Sequence, residues 1–282
     1  MARRKVVLTG ASGYLAGRML PELRERYDLT LLDVRTVDRD GTEVPGVVAV
    51  DLLNTDRDAY REHFRDADAV IHCGFVKGDG RETFWVELDN VKMAYNVYQT
   101  SVEEGVRRVV VFSSNHAADF YEKLIWSDRM DFVTPEMLPL SDNYYGWAKS
   151  SYELLGFAFA TGNVNDGKVL EVVQLRIGGP RETDLDSTSH QDLNRVHRAL
   201  GAYLSVRDQT QLVTRSLETD DILDANEIPF QIFYGVSAND HNFWSIASAR
   251  RVIGYAPQDN SQVKFAGRLS EILSASWSEQ YG

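Results

Sequence analysis

Five short apolar runs, separated by longer amphipathic stretches, limit this chain more than any other feature. Val6-Val7-Leu8-Thr9, Leu29-Thr30-Leu31-Leu32, Val47-Val48-Ala49-Val50, Ala69-Val70-Ile71 and Arg108-Val109-Val110-Val111-Phe112 read as buried strands. Helical stretches are expected near residues 13–27, 56–65 and 83–105. A strand apolar on both faces must be covered on both faces, so such an alternation predicts an α/β fold, a doubly wound parallel sheet. A sixth strand is expected at residues 170–176, after a helix that opens near Asn143. Beyond it, helical stretches at 191–204 and 243–253 surround a further apolar run at 230–236.

The first strand runs into Thr9-Gly10-Ala11-Ser12-Gly13-Tyr14-Leu15-Ala16-Gly17. Gly10 and Gly13 permit a tight turn and close approach of backbone to a pyrophosphate. The helix start at Ser12, Tyr14 and Leu15 adds amide donors and a favourable dipole. Ala16 stands where the helix must pack closely on the strand. A strand, this turn and a helix in succession make a Rossmann-like dinucleotide site. Asp33 lies 23 residues past Gly10, the spacing of a carboxylate that binds the ribose hydroxyls and repels a 2′-phosphate. NAD is therefore expected over NADP, although Arg35 offers a phosphate an alternative partner. Ligands sit at the carboxyl ends of such strands, which adds Asp51, Leu52, Cys73 and Gly74 to the cofactor candidates. Cys73 is expected to be a packing residue, with no adjacent base to activate it.

These features divide the chain into residues 1–178, which would bind NAD, and a small substrate-binding portion at 179–282 that returns in part to the core. The only cysteine is Cys73, which excludes an internal disulfide and suits a reducing cytoplasm. A net charge of −12 lacks the basic footprint of a nucleic-acid binder. No apolar run reaches the ~20 residues that span a bilayer. His190 and His197 lack a carboxylate pattern for a metal.

The fifth strand ends in Ser113-Ser114-Asn115-His116, and Tyr145-Gly146-Trp147-Ala148-Lys149 follows downstream. Tyr145 and Lys149 are four apart and share one helix face. A phenol of ordinary pKa near 10 is a poor base at neutral pH, and a neighbouring ammonium favours its phenolate. Lys149 can also hold the nicotinamide ribose, and a strand-end serine can bond the substrate oxygen.

With these motifs in order, the chain resembles the extended short-chain dehydrogenase/reductases, the group containing sugar epimerases and dehydratases. The likeness runs over residues 5–176 and includes Asn90 in Leu88-Asp89-Asn90-Val91. Within the group the chain is most similar to the uronate dehydrogenases, through Ser113-Ser114-Asn115-His116, Arg176-Ile177-Gly178 and Ser237-Ala238-Asn239-Asp240 with Trp244. The resemblance makes Ser114 the catalytic serine beside Tyr145 and Lys149, puts Asn90 at the cofactor, and sets Asn115 and His116 against the sugar. It also gives Arg198 the task of holding a substrate carboxylate, with Arg195 and His197 as neighbouring alternatives. Two positions depart from the pattern: Lys77 and Gly179 stand where relatives carry small hydroxyl residues in the substrate pocket. Lys77 either binds an anionic group or points to solvent.

The implied reaction is oxidation of a uronate or similar small sugar at its anomeric carbon. The alternatives are a sugar-nucleotide epimerase or dehydratase that reduces NAD transiently, and a non-catalytic NAD sensor on the same fold. Pairing of two copies through the helices near 84–105 and 144–161 is a further implication of the resemblance.

Overall fold

The computed structural model describes residues 3–281. Seven parallel strands form one sheet: β1 (Lys5–Thr9), β2 (Asp28–Asp33), β3 (Val47–Ala49), β4 (Ala69–His72), β5 (Arg108–Ser114), β6 (Glu171–Ile177) and β7 (Phe230–Gly235). Their order is β3-β2-β1-β4-β5-β6-β7, so the winding direction reverses between β1 and β4. That reversal opens a crevice at the carboxyl ends of the two strands.

Each face of the sheet buries its own core. In β5, Val109 and Val111 pack with Val97 and Tyr98 of α2 (Thr83–Glu103) and with Tyr152 and Phe159 of α4 (Tyr144–Ala160). Val110 and Phe112 face the other way, toward Met19 of α1 (Tyr14–Arg26) and Leu212 and Val213 of α6 (Val206–Glu218). The alternation follows from the two-residue repeat of the strand. Both faces of β5 are apolar because both are covered.

The remaining helices are α3 (Glu122–Trp126), α5 (Leu193–Ala202), α7 (Ala247–Ile253), α8 (Ser261–Lys264) and α9 (Ala266–Tyr281). Residues beyond 178 supply β7, which pairs with β6, and α6, which packs on α1. Arg108 fastens this segment from inside the core. Its guanidinium donates to the carbonyls of Ser216 (2.8 Å) and Thr219 (2.6 Å) at the end of α6.

Two expected helices differ. Residues 56–65 form two 3-10 turns, Arg57–Ala59 and Arg61–Phe64, because Asp56 caps the first and Tyr60 breaks the run at φ −146°. The stretch at 243–253 is helical only from Ala247. Its first residues instead bond to Val133, whose N–H donates to Phe243 O and whose carbonyl accepts from Ser245 N.

Candidate active site

The glycine turn lies in the crevice between β1 and β4. Gly10 has φ +67°, and a Cβ there would stand 2.7 Å from the backbone of Cys73 and Gly74. Only glycine lets these two strand ends approach so closely. Gly13 donates to Gly10 O (2.9 Å) and caps α1 without a side-chain hydrogen bond, and Gly17 makes the first helical bond back to Gly13. The start of α1 thus has no side-chain cap, leaving first-turn amides that could hold an anion. Tyr14 leans away, its hydroxyl donating to Pro180 O (3.3 Å) and its ring lying beneath Arg39 (4.5 Å). Leu15 is partly buried against the core.

Asp33 ends β2 and accepts from Ser12 N (3.0 Å) and Arg35 N (3.2 Å). A carboxylate has about four lone-pair sites, so capacity remains for two ribose hydroxyls. Asp51 is exposed and accepts from Leu53 N, while Leu52 is buried and its carbonyl takes a hydrogen bond from Asn96. The Cys73 thiol is pushed far up by burial, which removes it as a nucleophile. Beneath it, burial drives the His72 imidazole down to about 3, with the Lys149 ammonium adding to the effect. A side chain at Gly74 would press on His72 and on Met93. The Asn90 amide is engaged within the chain. Its side chain accepts from Val76 N (2.7 Å) and donates to Val76 O (3.2 Å), fixing the loop after β4.

Asn143 caps α4 by accepting from Gly146 N (2.9 Å). A Cβ on Gly146 would collide with His116 O, so the helix start presses directly on the segment after β5. Lys149 is buried and donates to Phe112 O (2.9 Å), with its ammonium 5.4 Å from the Tyr145 ring centre. The Tyr145 ring meets His116 at 5.4 Å and Phe75 at 5.6 Å, both edge-on. His116 N in turn donates to Ser114 Oγ (3.2 Å). Ser113 donates to Glu153 Oε1 (2.5 Å) on α4. Ser114 is thus linked to the backbone of His116, whose ring packs on Tyr145. Asn115 lies beside it, buried, its Nδ2 without a hydrogen-bond partner.

Further out, His116 Nδ1 pairs with Asp119 Oδ2 (2.6 Å), which also accepts from Asn143 (2.9 Å). Arg198 departs from the expected arrangement. Its Nε donates to both carboxylate oxygens of Glu122 (3.0 and 2.9 Å), and its Nη2 lies 3.8 Å from Asp119 Oδ1. The guanidinium expected to hold a substrate carboxylate already holds one of the chain's own. Gly179 is bridged to Tyr203, and a Cβ there would stand 2.7 Å from Asp184 Oδ2. Lys77 lies exposed on the loop beyond Phe75. Phe75, Asp119 and Glu122 were not marked by sequence reasoning. Only Phe75 carried a signal, as an aromatic just past a strand end.

The fold and the site define a Rossmann-type enzyme of nicotinamide dinucleotide chemistry. The sequence matches the NAD dependent epimerase/dehydratase family over residues 6–190. The chain belongs to that family, and NAD is its cofactor. It is 32% identical to the NAD-dependent glucose-6-phosphate dehydrogenase of Haloferax volcanii, over 91% of this chain and 94% of that protein. It is 30% identical to an L-arabinose 1-dehydrogenase (NAD(P)(+)) of the same organism, over 91% and 97%. Among solved structures, a mutated uronate dehydrogenase is similar at 26% identity and a TM-score of 0.72, covering 96% of this chain and 86% of its own. Among the described residues no helix is long and apolar enough to cross a membrane, and no cluster of metal-ligating side chains occurs.

Proposed function

We propose that this chain oxidises a small sugar, a uronate or a related aldose, at its anomeric carbon to a lactone, with NAD as the acceptor. The observation that carries this reading is the meeting of Ser114, His116, Tyr145 and Lys149 at the carboxyl edge of the sheet, beside the glycine turn. The names of its relatives, dehydrogenases of glucose-6-phosphate, L-arabinose and uronate, support the substrate class.

Tyr145 removes the proton of the C1 hydroxyl, and the Lys149 ammonium stabilises the phenolate that does so. Ser114 Oγ donates to the same oxygen and holds it in line with the base. Phe75 and His116 flank the phenol ring. When bound, NAD supplies the acceptor for the hydride that leaves C1. The carbon thus loses a hydride and the oxygen a proton, leaving the ring carbonyl of a lactone. The first-turn amides of α1 would hold the pyrophosphate, Asp33 would take the adenosine ribose, and Lys149 would take the nicotinamide ribose. Asn115 and His116 contact the sugar hydroxyls. Pairing of two copies through α2 and α4 belongs to the same proposal, since Trp85, Tyr95, Leu154 and Phe157 expose apolar surface there.

The test is a panel of aldoses, uronic acids and sugar phosphates scored by NADH absorbance, with Tyr145→Phe in parallel. Stoichiometric NADH with one sugar class is expected, and a fall in kcat of about 10²–10⁴ in the variant, the usual share of a general base. Full activity in Tyr145→Phe refutes the role of the phenol. Conversion of a sugar with no NADH released refutes the dehydrogenase.

A further inference from the structure

The electrostatics around Arg198 bear on which sugar the site accepts. Arg198 lies on α5, stacked over the buried ring of Trp244 at 5.8 Å. It reaches the Tyr145 end of the pocket through Asp119, which bonds His116, which in turn packs on Tyr145. A sugar with its C1 at Tyr145 and its far end toward His116 would approach this cluster. The guanidinium meets two carboxylates of its own chain there. Glu122 takes both of its hydrogen bonds through Nε, and Asp119 stands within ion-pair distance of Nη2. The side chains of Glu122 and Asp119 are 14% and 13% exposed, so solvent screens them little. A third carboxylate, Asp184, sits against Gly179 and is itself among the groups influenced by Arg198. Its nearest ion-pair partner, Arg181, is 3.8 Å away and largely exposed.

Glu122 engages only Nε, and Arg198 Nη2 and Asp119 Oδ1 are buried without a hydrogen-bond partner. A substrate carboxylate reaching Nη2 would find the guanidinium charge already paired and would face Asp119 as a like charge, which is repulsive where solvent screens little. A hydroxyl avoids that repulsion. It donates to a carboxylate oxygen and accepts from a guanidinium N–H at once, which the carboxylate cannot do. We infer that the Arg198 end of the pocket recognises the hydroxyl-bearing end of a neutral aldose, and that Glu122 is the specificity-determining residue that excludes the corresponding uronate. This inference rests on the proposed sugar oxidation and narrows it.

The experiment compares matched pairs, D-galactose with D-galacturonate and D-glucose with D-glucuronate, together with glucose 6-phosphate. It uses two readouts: NADH formation, and equilibrium binding to the NADH-loaded enzyme followed by tryptophan fluorescence. In the wild type the aldose of each pair should have a kcat/KM and an affinity higher by about tenfold or more, a difference equivalent to one lost hydrogen bond or one unfavourable charge contact. Glu122→Gln keeps the shape and removes the charge. It should move the uronate-to-aldose ratio toward the uronate by about tenfold or more, while Glu122→Asp should retain the wild-type order. A wild type that prefers the uronate or the sugar phosphate overturns the inference, as does a ratio unchanged in Glu122→Gln. If no sugar yields NADH but the aldose still binds more tightly, the dehydrogenase reading fails and the pocket assignment stands. If neither sugar of a pair binds, both fail.

Discussion

Glu153 and Arg176 are both fully buried, and their ion pair locks α4 to the sheet directly below the proposed catalytic pair. Glu153 is one turn beyond Lys149 on the same face of α4. Its carboxylate takes Nε and Nη2 of Arg176 at 2.9 and 2.7 Å and the hydroxyl of Ser113, while Arg176 Nη1 donates to Tyr234 OH. Burial works against the Arg176 charge, yet Glu153 and Tyr234 hold its pKa above the ordinary arginine range. Removing one partner of such a pair leaves an uncompensated buried charge and costs about 3–5 kcal/mol. Glu153→Gln and Arg176→Met should each lose that much in urea unfolding, out of the roughly 5–15 kcal/mol typical of a domain. The double variant removes both charges and leaves one weakened contact to Ser113 and one unpaired tyrosine hydroxyl, a loss of about 2–4 kcal/mol. The sum of the singles would be about 6–10, so the cycle should report a coupling of several kcal/mol. The stability difference should change little between low and high salt, because solvent ions do not reach the pair. Additivity of the two singles within about 0.5 kcal/mol would refute the clamp.

Gly10→Ala should abolish NAD binding in calorimetry while the sheet persists by circular dichroism. The left-handed backbone costs a side chain about 1–2 kcal/mol, and the new methyl would lie 2.7 Å from the Cys73 backbone. Retained affinity would show that the turn has another way to close. Asp33→Ala should weaken NAD by about tenfold or more, the value of at least one hydrogen bond to a charged group, and reduce its advantage over NADP. An unchanged cofactor preference would remove Asp33 from that role. Burial and the neighbouring Asp119 raise the Glu122 carboxyl, while Arg198 and His116 oppose the rise. Glu122 should therefore lose its charge at higher pH than an ordinary glutamate as the solution is acidified. The uronate-to-aldose ratio of kcat/KM should rise as pH falls through that range, and should be flat in Glu122→Gln. A flat wild-type ratio would show that Glu122 stays ionised or does not face the substrate.

Legibility in the sequence followed how local each signal was. The central strands β4 and β5 were readable because both faces of each are apolar and both are buried. α6 was missed although it is 13 residues long, because Asp208, Gln209, Thr210, Thr214 and Ser216 lie on its buried side. Asp208 accounts for part of that polarity, accepting from the backbone N–H groups of Gln258 and Asp259. Such bonds are formed across about 50 residues and leave no periodic trace. The site divides in the same way. Gly10, Tyr145 and Lys149 are marked by turn geometry and helical spacing, which a sequence displays. That Ser113 bonds Glu153 is not legible, because the two stand 40 residues apart. Arg198 is the contrasting case. Its residue type and its place before Gly201 and Ser205 carried over from the resemblance, but its partner did not. Glu122 stands 76 residues away, and nothing in either segment predicts that they meet. A resemblance transfers the presence of a cation without its neighbours. An arginine facing substrate alone favours an anion, whereas one already bonded to a buried carboxylate has its charge partly neutralised, and here that difference rests on the long-range contact of Glu122 on α3 with Arg198 on α5.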